Sequence, residues 1–312
     1  MNVYLCVTID SECDKGAEWK TQKPLAFAGV REGIVKRLQP LFNRYQAKPT
    51  YLLSPEVIAE AEKGDLFAGL SGSYEFGAHL HGEFIGPNPF VPDVTLDFQC
   101  NYSADIEREK LRNLTSLFRD VFGNRPTSFR AGRFGIGAHS IDLLSELGYM
   151  VESSVTPWVD WSEKGARDLN HVGAPTQPYH PDPRWPARPG KSSLLEVPIT
   201  IRPRVAQRLP FIGKIIEPRW LRPTWGTVDG LRDVMRDEIW DARTRYGAHR
   251  PVILNCMFHN VEVIPNASPY AATEDEASKI LARLEGVLAF AEREGIKCIG
   301  LSDVLSVLSP LH

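Results

Sequence analysis

Four short segments of this 312-residue chain carry ionisable side chains at the end of an apolar run. They are Thr8-Ile9-Asp10-Ser11-Glu12, Glu75-Phe76-Gly77-Ala78-His79-Leu80-His81, Phe129-Arg130-Ala131-Gly132-Arg133-Phe134-Gly135 and Met257-Phe258-His259-Asn260. Extended backbone alternates its side chains, so His79 and His81 share a face. Two imidazoles so placed can share a metal, and one carboxylate completes a three-ligand site with a position open for water. Asp10 and Glu12 are also two apart, so one can bind the metal while the other acts as general base, the division of labour that hydrolysis needs. Asp14 can stand in for either. His259 can protonate a leaving group, and Arg130 and Arg133 can pair with a carboxylate or hold a substrate anion. Each group also has a plainer reading: hydrogen-bonded rim histidines, helix-capping acids, structural ion pairs. Cys13 can ligate a soft metal, but a buried loop thiol is the simpler assignment. His139, His171, His180 and His249 lie outside these segments and receive no role.

The elements that must position these groups alternate regularly. Residues 2–9, Thr50–Leu53, Tyr74–His79, Thr127–Arg130, Tyr149–Ser153, Leu194–Ile201, Val252–Phe258 and Ile296–Ile299 read as strands. Helices are predicted over 29–46, with Ile34, Leu38, Leu41 and Phe42 on one face, and over 104–122, capped by Ser103 and stopped by Gly123. A third carries Ile141, Leu144 and Leu147 and ends at Gly148. The last opens with a Thr273/Glu276 capping box and ends at Gly295. Seven or eight β-then-α units predict an α/β fold, a distorted (β/α) barrel of parallel strands, with chemistry at the C-terminal strand ends. Residues 1–312 read as a single domain, without repeat or linker. Residues 155–192, rich in Pro, Trp and Gly, read as a long surface excursion.

Composition removes several function classes. With 36 Lys plus Arg against 39 Asp plus Glu, a net charge of -3 argues against a generic nucleic-acid binder. No run of about 18 apolar residues provides a membrane span. The run Val3–Ile9 is short for a signal peptide and meets Asp10 at once, and the five cysteines are scattered, so a reduced, cytoplasmic setting is expected. The stretch 202–222 holds Arg202, Arg204, Arg208, Lys214, Arg219 and Arg222 against Glu217, interleaved with Phe211, Ile212, Ile215, Ile216 and Trp220. It can meet a lipid diphosphate or the inner membrane leaflet; the plainer reading is a solvated loop with a few buried anchors.

Taken together, the segments resemble the polysaccharide deacetylases of carbohydrate esterase family 4. The resemblance implies that Asp10 is the catalytic base, Glu12 a metal carboxylate, His79 and His81 the imidazole ligands, and His259 the acid. It further implies that Arg130 orients the base and that Arg133 and Phe134 shape the substrate groove. Val159-Asp160-Trp161 resembles the family's Asp-Trp motif and places Asp160 and Trp161 in that groove. Three departures mark a divergent branch, similar to deacetylase-like proteins of bacterial surface-polysaccharide (O-antigen, lipopolysaccharide) biosynthesis. Ser11 separates two acids that are usually consecutive. The histidines usually stand four apart, yet the position four after His79 is Glu83. The proline usual after the motif's Arg is missing. The implied activity is metal-dependent removal of an N-acetyl or other N-acyl group from a sugar. Water is activated by a divalent metal, zinc first and Co, Ni, Mn or Fe as alternatives. The implied substrate is a surface polysaccharide or its nucleotide- or lipid-linked precursor. Trp158, Trp161 and Trp185 favour a sugar, whose apolar faces stack on aromatic rings. Competing readings are a metal-dependent C–N hydrolase acting on a non-sugar amide, and a carbohydrate-binding relic without catalysis.

Overall fold

Parallel strands buried on both faces need near-continuous apolar sequence, and the two longest strands have it. The computed structural model describes residues 2–89, 98–204 and 217–308. Strand β1 (Val3–Ser11) is followed by a π-helical stretch, Gly29–Leu38, that runs on into α1 (Gln39–Arg44). Next come β2 (Thr50–Leu53), α2 (Pro55–Ala61), β3 (Glu75–Leu80), α3 (Ala104–Phe122), β4 (Ser128–Ala131), α4 (Ser140–Glu146) and β5 (Val151–Glu152). The second half contains β6 (Leu195–Glu196), β7 (Ile201–Arg202), β8 (Arg219–Trp220), α5 (Val228–Tyr246), β9 (Val252–His259), α6 (Glu274–Arg293), β10 (Lys297–Cys298) and α7 (Val304–Leu308).

Eight of these strands form one sheet, in the order β10-β1-β2-β3-β4-β5-β6 with β9 also on β1, and every pairing is parallel. The sheet curls into the expected distorted barrel. Its gap between β6 and β9 is bridged by irregular chain, in which Ile199 N–H donates to Val155 O (3.0 Å) and Thr200 N–H to Asn255 O (3.0 Å). The single strand expected over 194–201 is broken there. Pro198 has no N–H for a ladder, so β6 stops short of it and β7 pairs antiparallel with β8 instead. Leu5, Val7, Ile9, Tyr51, Phe129, Leu254 and Phe258 fill the core, against Phe42 and Phe118 from the helical layer.

Helix signals in the sequence translate directly. Ser103 accepts from Ile106 N–H at the start of α3, and Gly123 ends it at φ 76°. Thr273 and Glu276 form the capping box of α6. Residues 155–192 contain no helix or strand beyond one short turn, Ser162–Lys164, and isolated bridges. Among the described residues, no helix is long and apolar enough to cross a membrane. Register then does the positioning. Asp10 lies opposite His259 between β1 and β9, and His79 opposite Arg130 between β3 and β4.

Candidate metal and acid–base site

The C-terminal ends of β1, β3 and β9 converge on a cavity of about 570 Å3 lined by Asp10, Glu12, His79, His81 and His259. One ligand atom each from Glu12, His79 and His81 lies within 4.8 Å of the other two, and all three residues are buried. Glu12 Oε1 stands 3.1 Å from His81 Nε2 and 3.5 Å from His79 Nε2. The far side of each ring is anchored: His79 Nδ1 to Arg130 O (3.0 Å), and His81 Nδ1 to the Glu83 carboxylate (3.0 Å). With its Nδ1 on a carbonyl, His79 carries its proton there and turns an unprotonated Nε2 inward. That buried atom has no hydrogen-bond partner. A buried acceptor left unpaired beside a carboxylate and a second imidazole is what a divalent cation needs, so the residues present fit a metal.

The same groups carry charge well below the surface. Burial opposes ionisation of Glu12, but His81 and Lys15 outweigh it and hold the carboxyl well below the usual range. Lys15, itself buried, reaches Glu12 Oε2 at 2.9 Å. Burial disfavours a charged His81 too, yet Glu12 and Glu83 together raise it to about 10.

Asp10 has a different partner. Arg130, fully buried, reaches across the barrel interior from β4 and donates from Nη1 to Asp10 Oδ1 at 2.5 Å. Its other nitrogens are held by Ser153 O (2.7 Å), Thr8 Oγ1 (2.8 Å) and Ser153 Oγ (3.0 Å). Burial pushes the Asp10 carboxyl up, but Arg130, then His79 and His259, outweigh it, so Asp10 is ionised at neutral pH. Its free Oδ2 lies 3.9 Å from His259 Nε2. His259 Nδ1 contacts Glu262 Oε1 at 2.8 Å, and Glu262 is fixed by Arg222 and the Thr224 hydroxyl. Burial works against the Glu262 charge, and Arg222 more than restores it. An ionised Glu262 keeps the His259 proton on Nδ1 and leaves Nε2 facing Asp10.

Of the residues singled out from sequence, Asp10, Glu12, His79, His81, His259, Arg133, Phe134 and Trp161 all line this cavity. Arg133 and Phe134 adopt left-handed φ values of 54° and 59°, uncommon outside glycine, at the turn that brings both to the rim. Gly132 precedes them because a Cβ there would sit 2.4 Å from Leu80 O, at the end of β3. Arg130 is not in the lining and reaches the site as the buried partner of Asp10. Asp160 is not in the lining: its carboxylate accepts from Ser162 N–H (3.0 Å) and Asn170 Nδ2 (2.8 Å), so the Asp-Trp pair divides into a loop tie and a groove wall. Asp14 is not at the site either. It accepts from the N–H groups of Ala28 and Gly29 (both 2.9 Å), so it is this acid, not Asp10 or Glu12, that caps a helix. Cys13 is buried, with its thiol pushed up by burial and by Glu56.

Glu83, Lys15, Trp19, Tyr270, Glu262 and Arg222 gain roles that the sequence did not assign. Glu262 had a readable signal, an acid three residues after a strand-end histidine. Arg222 had none, and with Arg202 it supplies buried anchors in the stretch 202–222, as the plainer reading of that stretch has it. Arg222 is buried on Glu262, and Arg202 is buried on Glu238 (2.9 Å) and Asp241 (3.0 Å), so neither faces lipid. Arg208, Phe211, Ile212, Lys214, Ile215 and Ile216 lie outside the described residues.

No family model and no curated protein matches the sequence. Solved structures do match the fold. A protein from Parabacteroides distasonis assigned as a glycoside hydrolase/deacetylase aligns over 98% of this chain and 71% of its own, with a TM-score of 0.63 at 13% identity. One from Pseudomonas aeruginosa assigned as a polysaccharide deacetylase aligns over 98% and 89%, with a TM-score of 0.55 at 16% identity. Another with that assignment, from Mycobacterium smegmatis, aligns over 97% and 90%, with a TM-score of 0.50 at 17% identity. At such identities the likeness is one of architecture, and this chain has the distorted (β/α) barrel seen in structures assigned as polysaccharide deacetylases.

Proposed function

We propose that the chain is a metal-dependent hydrolase that removes an N-acetyl or related N-acyl group from a sugar. The observation that carries this reading is an ionised Asp10 and a Glu262-backed His259 facing each other 3.9 Å apart beside the Glu12/His79/His81 cluster. Glu12, His79 and His81 would hold the cation, with zinc first in view of two imidazoles and one carboxylate. When bound, a divalent metal supplies Lewis-acid polarisation of the acyl carbonyl and makes a neighbouring water more acidic.

Asp10, kept ionised and aimed by Arg130, takes a proton from the attacking water as its oxygen adds to the acyl carbon. Asp10 passes that proton to His259 Nε2, 3.9 Å from its Oδ2, and His259 donates it to the amide nitrogen as the C–N bond breaks, giving a carboxylic acid and a free amine. Glu262 stabilises the charged imidazolium before that transfer and fixes the ring afterwards. Trp19 stands edge-on to His259 with ring centroids 4.9 Å apart, and Trp161, Phe134 and Tyr270 add aromatic surface around the same cavity. Such surfaces suit a pyranose ring and favour a sugar over a small linear amide. A surface polysaccharide or its biosynthetic precursor is the substrate class this reading favours.

The test is acetate release from N-acetylated oligosaccharides, with bound metal measured on the same samples. Asp10→Asn should lower turnover by about 10²–10⁴-fold while metal content is retained. Wild-type turnover in that variant, or no metal bound after zinc is supplied and excess removed, overturns the assignment.

A further inference from the structure

Among the described residues, a second cavity of about 800 Å3 exceeds the one just described. It is bounded by residues 136–142, the loop 167–173 and the turn 184–188 of the excursion. One loop separates the two cavities. Trp161 and Lys164 line the catalytic side, and Arg167 to Gly173 line the other. The loop is cross-tied by the Asp160–Asn170 bridge and by Trp161 N–H donating to Leu169 O (2.9 Å).

Three features of this second cavity point to a ligand. First, Arg167, Arg184 and Arg188 all line it, and among the described residues none of their guanidinium groups is ion-paired, although Asp142 and Asp168 line it too. Arg188 instead stacks over the Trp185 ring, 5.4 Å from its centroid. Second, Trp185 and Val172 leave 53% and 57% of their surface to water there, a costly placement for large apolar groups. Third, His171 lines the cavity while only 1% exposed, and its Nε2 has no partner. Its Nδ1 accepts the Thr156 N–H at 3.1 Å, so the proton sits on Nε2 as a buried donor with nothing to bond.

An exposed indole face, unpaired guanidinium forks and a buried N–H donor together match a ring with an apolar face, an anionic substituent and hydroxyls. We propose that this cavity binds an anionic sugar residue, one that carries a carboxylate or a phosphate. The site is distinct from the hydrolytic centre and does not depend on any reaction there.

Direct binding to the full chain tests this. All proteins carry Asp10→Asn so that no probe is consumed. The probes for calorimetry are an oligosaccharide of alternating glucuronate and N-acetylglucosamine, its carboxyl-reduced neutral counterpart, N-acetylglucosamine 1-phosphate, and inorganic phosphate. Binding of either anionic sugar supports the proposal and identifies the anion, provided that it weakens about tenfold or more in Arg184→Ala/Arg188→Ala and several-fold in Trp185→Ala. All three residues are exposed, and an unchanged melting profile establishes that the variants are folded. The proposal is overturned if no probe binds, if both variants bind like the parent, if the neutral oligosaccharide binds as tightly as the charged one, or if inorganic phosphate matches the sugars. Because the readout is binding, loss of the hydrolase reading would leave this result standing.

Discussion

Glu83 sits where the resemblance leads one to expect a histidine, and its contact with His81 makes a quantitative prediction about metal affinity. The Glu83 carboxylate accepts from His81 Nδ1 at 3.0 Å, and its side chain is 28% exposed. At that separation two unit charges attract by about 5 kcal/mol in a medium of effective dielectric about 20. Solvent at the exposed edge screens part of this, and only what passes through the ring to Nε2 reaches a bound cation. Removing an outer carboxylate of this kind costs about 10–100-fold in metal affinity, or about 1.4–2.7 kcal/mol. Glu83→Gln keeps a hydrogen-bond acceptor and loses the charge, so it should fall near the tenfold end; Glu83→Ala loses both and should fall near the hundredfold end. Zinc competition against a chromophoric chelator at fixed pH measures both variants beside His81→Ala. Equal affinity in wild type and Glu83→Ala would refute the argument that Glu83 holds a ligand. Full affinity in His81→Ala would remove His81 from the ligand set altogether.

Arg130→Met strands Asp10 as a buried uncompensated charge and should cost about 3–5 kcal/mol in urea unfolding, with part of the loss recovered in the Asp10→Asn/Arg130→Met double variant; additive losses would deny the pairing. Asp14→Ala should lose about 1 kcal/mol of stability through its helix cap and leave metal content unchanged; a variant without metal would return Asp14 to the site. Glu152 and Glu196 are register partners, both fully buried, and the Glu196 carboxyl is raised well above the usual range by burial and then by Glu152. The Ser154 hydroxyl, Val155 N–H, Arg130 and Tyr179 also act on this pair. A folded-state pKa above the unfolded one gives stability that is complete below the ordinary carboxylate range and lost as pH rises through the folded value. Glu196→Gln should therefore flatten the fall in urea midpoint on the alkaline side of that range, and an unchanged slope would refute a protonated Glu196.

Much of this fold was legible because its signals are local. Ser103, Gly123 and the Thr273/Glu276 box each act within one turn of helix. The burial of β1 and β9 is written in near-continuous apolar runs, interrupted by Thr8 and Asn255. What escaped reading depends on distant partners. Nothing near Arg222 announces Glu262, 40 positions away, so which residues of the basic segment serve as buried anchors could not be read locally. Asp14 and Glu12 are the same kind of side chain two positions apart. Only the path of the chain sends one to the Gly29 N–H and the other to His81. The π-helical winding of Gly29–Leu38 had no signal that periodicity can detect.

Two of the departures from the pattern of the resembled family share one geometric description. Histidines four apart meet on one side of a helical turn, and adjacent acids share a face only where the chain leaves extended geometry. Here both pairs stand two apart, and both lie on extended backbone. Asp10 is inside β1 with Glu12 next after its end, and His79 is inside β3 with His81 next after its end, at φ -100° and ψ 100°. Period two turns all four side chains inward, while Ser11 points away and bonds Ile9 O at 3.0 Å. Were only one of the pairs two apart, carboxylate and imidazole would be offset by a residue's rise, about 3.3 Å. With both pairs at that spacing, Glu12 Oε1 meets both Nε2 atoms, and Glu83 anchors His81 from the position where the resemblance leads one to expect a histidine. That matched spacing fits the proposed metal site. A glycan-binding chain without metal has no need of it, or of a buried His79 Nε2 left unpaired and facing a carboxylate.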